Sequence, residues 1–153
     1  LGQPTPSWYG GLLNTFSFKG LELSVLFESV QGVTKSNSFY SNLVSRDNGV
    51  KVDYWTPRNP SNEFPQPDVR GAYHYESAVK IRDASFIALR NVSLQYTLPT
   101  SITEKIRVKR LAVYIRGNNL IYFTKYKDAY SPESVLGQFP TTRIWSCGLN
   151  ATF

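Results

Sequence analysis

The sequence predicts an all-β fold, an antiparallel up-and-down transmembrane β-barrel segment, on three observations. First, the last ten residues alternate strictly. Trp145, Cys147, Leu149, Ala151 and Phe153 point one way and Ser146, Gly148, Asn150 and Thr152 the other, because a strand has period two. Second, short and long connections alternate along the chain. Third, no apolar run approaches the roughly 18 residues of a membrane helix, and mean hydropathy is −0.29. Any crossing is therefore made by strands, whose lumen-facing residues dilute the average.

Strands are expected at about 8–18, 21–30, 84–98, 107–117 and 141–153. Lys19-Gly20 joins the first two. The third and fourth are joined by Pro99 to Ile106, where Ser101-Ile102-Thr103-Glu104 reads as a capping box for one helical turn. Residues 31–83 and 118–140 read as long loops carrying the turn signals Asn48-Gly49, Asn59-Pro60 and Ser131-Pro132. Outer-membrane barrels pair short periplasmic turns with long extracellular loops. With Phe153 in the periplasm, both short turns fall inside and both long loops outside, and Phe18, Tyr96 and Phe153 form one aromatic girdle.

Facing holds strand by strand. Leu21, Leu23, Val25 and Phe27 oppose Glu22, Ser24 and Glu28, while Leu111, Val113 and Ile115 oppose Arg110, Tyr114 and Arg116. The third strand changes phase between Leu89 and Val92, which predicts a β-bulge near Arg90-Asn91. Asn14 shares a parity with Leu12, Phe16 and Phe18, so a bulge is expected in the first strand as well.

The chain has 153 residues, no Met, and begins at Leu1, which reads as a fragment or processed piece. Seventeen basic and eleven acidic residues give +6, concentrated in Lys105 to Arg110. That run is too short for a nucleic-acid footprint and fits a solvated turn beside a membrane. The lone His74 and lone Cys147 build neither a histidine triad nor a multi-histidine metal site. Hence no catalytic residue, metal or cofactor is expected.

Aromatics are 14% of the chain, and Tyr40, Trp55, Phe64, Tyr73, Tyr75, Tyr126 and Tyr130 fall in the loops. Flat rings with a polar edge stack on sugars or peptide side chains, or pack loops against one another. These are the candidate binding residues. A secreted soluble β-sandwich that binds carbohydrate through the same rings is the alternative class.

Three segments carry a family resemblance: Gly10 to Gly20 (GGLLNTFSFKG), Trp55 to Pro60 (WTPRNP) and Leu89 to Pro99 (LRNVSLQYTLP). With Asn119 to Tyr126 and Gly148 to Phe153, they resemble the C-terminal barrel of SusC/RagA-family TonB-dependent transporters. That family usually has a glycine and then aspartate-proline-glutamate where this chain has Asp128-Ala129-Tyr130-Ser131-Pro132-Glu133. The resemblance implies that residues 1–153 are about the last five strands of a large plugged barrel, with plug and earlier strands upstream. It further implies a Gram-negative outer membrane and TonB-driven import of an oligosaccharide or peptide beneath a SusD-like lipoprotein. The candidate loop aromatics become substrate- or lid-facing, and the partners become the rest of the receptor, TonB and lipid. Phe153 resembles the terminal aromatic read during barrel assembly.

Overall fold

The computed structural model describes residues 2–36, 53–62, 64, 66, 81–127, 131–134 and 139–153. Five long strands form one antiparallel sheet: β1 (Trp8–Phe18), β2 (Leu21–Gln31), β5 (Phe86–Thr97), β6 (Arg110–Thr124) and β7 (Ile144–Thr152), in the order β1-β2-β5-β6-β7. Two short strands, β3 (Thr34–Ser36) and β4 (Ile81–Asp83), prolong the β2–β5 pair as a narrow ladder. A turn of helix α1 (Thr100–Thr103) runs into a 3₁₀ turn (Glu104–Ile106) before β6.

Local chemistry explains the connections. Lys19 and Gly20 have φ of 46° and 84°, so both central residues of the β1–β2 hairpin are left-handed, the I′ geometry whose twist matches paired strands. Glycine is needed at the second position, because an added Cβ would lie 2.7 Å from the Thr97 carbonyl oxygen. The helical turn begins two residues earlier than its capping box predicts. Pro99 precedes it with φ −62°, and its carbonyl accepts the N–H groups of Ile102 and Thr103. Ser101 therefore lies inside the turn and cannot cap it.

Each rung of the sheet has one face. Phe16, Leu23, Leu94, Ile115 and Cys147 are successive cross-strand partners, and so are Thr15, Ser24, Ser93, Arg116 and Ser146 on the next rung. The first row is apolar and the second polar. The apolar row stays open, with Phe16 63% and Ile115 46% exposed. Buried side chains gather instead at the β3–β4 end, where Val33, Ala84 and Tyr126 pack together against Val30. Among the described residues, one five-stranded sheet that exposes an apolar face and leaves β1 and β7 as open edges does not form a sandwich, which needs a second sheet over that face.

Two expectations are corrected. β1 carries no bulge: its register runs unbroken from Trp8↔Gln31 to Phe18↔Leu21, and Asn14 sits opposite Val25 on the apolar face. The two-residue hairpin sets that register, and one amide on the wrong face costs less than a broken ladder. β6 does not stop at 117 but continues to Thr124, so its loop starts seven residues later. Asn118-Asn119, expected to open the long loop, lies within the strand, where Asn119 is left-handed (φ 53°).

The predicted bulge in β5 is present. Pairing with both neighbours skips Arg90, between Leu89 and Asn91. β6 answers it by skipping Asn119 and Leu120, after which Ile121 and Phe123 rejoin the apolar face beside Leu89 and Ile87. Phe18 and Tyr96 flank Leu21 on one rung at the hairpin end, and Phe153 lies past Thr152 at the same end.

Cys147 faces outward in mid-strand, whereas Ser146 faces the polar side. Cys147→Arg in the full barrel should cost about 2–4 kcal/mol, and Ser146→Arg should be close to neutral. Denaturant midpoints of the two variants in lipid check this; equal midpoints would reverse the facing.

Candidate functional site on the polar face

The bulge turns Arg90 onto the polar face, where five groups meet it. Its Nε donates to Glu28 Oε2 on β2, and its Nη2 to Glu133 Oε1 in the β6–β7 loop. Nη1 donates to Glu133 Oε2 at 2.7 Å, to the Tyr122 hydroxyl at 2.9 Å and to Asn119 Oδ1 at 3.4 Å. Tyr122 in turn donates to Glu133 Oε2 at 2.6 Å. The guanidinium lies over the Tyr122 and Phe86 rings, at 5.6 and 5.9 Å from their centroids. A planar fork with five donors suits this paired, stacked setting; a lysine could not fill it.

Glu133 is delivered by a self-closed turn. Ser131 and Ser134 exchange hydroxyl and backbone hydrogen bonds at 2.8–3.2 Å, with Pro132 fully buried between them. Lys35 on β3 donates to the Ser134 carbonyl at 3.2 Å. The turn is thus held twice, to the wall through Arg90 and to the β3–β4 ladder through Lys35. The Arg90 hydrogen bonds hold the Glu133 carboxyl below the usual glutamate range, while burial lowers the Lys35 ammonium against the pull of Glu133. Nothing in this arrangement supplies a nucleophile or a metal site; it is a clamp.

The loop aromatics separate by burial. Phe64 is 6% exposed, with the Arg82 guanidinium 5.0 Å from its ring centroid, and Tyr126 is 6% exposed in the Val33–Ala84 cluster. Both pack the loop bases. Trp55 is 43% exposed on a short hairpin-like segment, where its N–H bonds the Phe64 carbonyl and Thr56 and Asn59 bond reciprocally. Its neighbour Tyr54 is equally open at 42%. Tyr40, Tyr73, Tyr75, Tyr130 and His74 lie outside the described residues. Phe153, 80% exposed, is far from the clamp, at the opposite end of the sheet.

Sequence reasoning missed the clamp itself. Arg90 was visible as the point of phase change, but its partners come from β2, β6 and a loop. The signals available were Glu28 and Arg90, the one charge of β5, at matched heights and Glu133 after a Ser-Pro turn.

Strands of 11, 11, 12 and 9 residues in β1, β2, β5 and β7 meet the roughly 9–11 needed to cross a bilayer. With an apolar face outside and a charged face within, they define a segment of an outer-membrane β-barrel. The particular kind follows from relatives. No family model matches the chain. It is 28% identical over 175 aligned positions to TonB-dependent receptor P3 of Formosa agariphila, covering all of this chain and 17% of that receptor. Receptor P26 of the same organism matches at 28% over 176 positions, with 18% of its length covered. The solved RagAB peptide transporter superposes with TM-score 0.76 at 25% identity, over 99% of this chain and 18% of that one; its importer form in the open-open state gives 0.74. The chain is thus homologous to a barrel segment of these TonB-dependent receptors and spans less than a fifth of their length.

Removing Glu133 or Arg90 should release the turn. Glu133→Gln should cost about 1–3 kcal/mol locally, read as faster proteolysis of the β6–β7 loop in the folded receptor. The folded carboxyl is depressed, so its contribution is complete above the unfolded value and lost as pH falls through the folded one. Loop protection should therefore persist at neutral pH and be lost only below the usual glutamate range. Unchanged proteolysis in the variant would show that the clamp does not hold the loop.

Proposed function

We propose that the chain forms the C-terminal wall of a SusC/RagA-like importer that takes up a nutrient too large for porins, an oligosaccharide or peptide. The single observation behind this reading is the overlay of 99% of the chain on the RagAB transporter. The plug, the earlier strands and the TonB-contacting segment belong to the rest of the receptor. A SusD-like lipoprotein covers the extracellular mouth, and TonB acts on the plug from the periplasm. This segment closes the wall and carries two rim loops, whose Trp55 and Tyr54 are the open aromatics for ligand or lid. The clamp keeps one rim loop in place while the lid moves.

Phe153 serves assembly: deleting it lowers the amount of folded, heat-modifiable barrel and leaves uptake per inserted receptor unchanged.

Deleting the full receptor gene should abolish growth on one polymer or peptide class while sparing growth on its monomer, and collapsing the proton-motive force should stop uptake by the wild type. Growth that survives deletion refutes import. Topology is read by impermeant thiol labelling of intact cells. Ser61→Cys should react and Ser101→Cys, exposed on the helical turn, should react only after permeabilisation; the reverse pattern inverts the barrel.

A further inference from the structure

The apolar face has a built feature at its hairpin end. Leu21, Leu94, Tyr96, Val113, Ile115 and Cys147, with Tyr114 between Val113 and Ile115, line an open groove of about 260 Å³. Six of these seven belong to the apolar rungs and Tyr114 alone to a polar one, so the groove opens toward hydrocarbon. At its mouth stand cations. Lys109, exposed just before β6, donates its N–H to the Thr152 carbonyl at 2.8 Å. Four residues of strand put it about 13 Å beyond Val113. Lys19, in the β1–β2 turn, holds its ammonium 5.2 Å from the ring centroid of Phe18, on the edge of the same face. Lys105 and Arg107 are exposed on the intervening turn.

We propose that this end of the wall seats one anionic phospholipid of the periplasmic leaflet, an acyl chain in the groove and its headgroup phosphate against Lys19, Arg107 and Lys109. The inference rests on the topology proposed above. Two observations select the occupant. The groove is continuous with the lipid-facing surface, so an acyl chain reaches it without leaving hydrocarbon. Charge then selects the headgroup: among the described residues none of these cations is engaged in an ion pair, and Glu104 is the one acid on the turn itself. Ile102 and Ile106 on the same turn are 47% and 52% exposed, a wasteful arrangement in water and a favourable one at the headgroup boundary.

The test uses the full receptor, purified in detergent and titrated with phosphatidylglycerol or with phosphatidylcholine of equal chain length, bound lipid being counted by native mass spectrometry. Wild type should retain phosphatidylglycerol about a hundredfold better, since three cations near one headgroup each contribute about 1 kcal/mol, and the preference should shrink as salt rises. K19Q/R107Q/K109Q should abolish the preference, and Cys147→Trp, which fills the groove, should lower retention of both lipids. Glycerol phosphate, a headgroup without chains, should not compete. A preference that survives the triple variant overturns the headgroup assignment, and unchanged retention in Cys147→Trp overturns the groove. Heat-modifiable mobility reports folding; if the triple variant does not fold, K109Q alone and the salt titration of wild type decide. Labelling of Ser101→Cys in intact cells would refute the topology instead, a result separate from either lipid outcome.

Discussion

Hydrocarbon has no partner for an amide, so each backbone N–H and C=O crossing it must find one on a neighbouring strand. The architecture follows from that demand. The ladder from β1 to β7 is continuous, the hairpin at Lys19-Gly20 takes only two residues for reversal, and the edges of β1 and β7, open among the described residues, call for neighbouring strands. The same demand explains why Asn14 is tolerated on the apolar face. One side-chain amide there costs less than backbone groups without partners along a slipped strand.

The departure at Arg90 has a counterpart in the loop above it. A bulge leaves a residue outside the ladder, and here that residue is the charge that binds Glu28, Tyr122 and Glu133. Removing a guanidinium from water is expensive, and a single exposed ion pair would offset little of it. Two carboxylates, a phenol and two aromatic faces do offset it. The irregular backbone and the anchored turn are therefore one feature: a regular ladder in phase with Val92 would put Arg90 on the apolar face, and Glu133 would face the wall without its cation.

Much of the fold was legible because facing in a half-buried strand is written in alternate residues. β1 begins and ends at the expected positions, and the phase change between Leu89 and Val92 located a real bulge. Failures arose where short-range chemistry has two outcomes. Asn118-Asn119 suits a turn and equally suits a left-handed position within a strand, and only the resumed alternation of Ile121, Tyr122, Phe123 and Thr124 distinguishes them. Ser101 with Glu104 matches a capping box, yet Pro99 had already started the helix. The clamp was illegible for another reason. Its members are 62 and 43 residues from Arg90, and no local pattern reports which charges a sheet brings to one height.

The short β3–β4 ladder separates two regimes of change. Thr34↔Asp83, Lys35↔Arg82 and Ser36↔Ile81 close the neck below residues 37–80, so the ends of that stretch are held together whatever lies between them. Closure entropy grows only with the logarithm of loop length, about 0.6 kcal/mol for each doubling. Insertions or exchanges above the neck leave the register of β2 on β5 untouched, and descendants of one barrel can acquire new surface specificities while the wall is inherited unchanged.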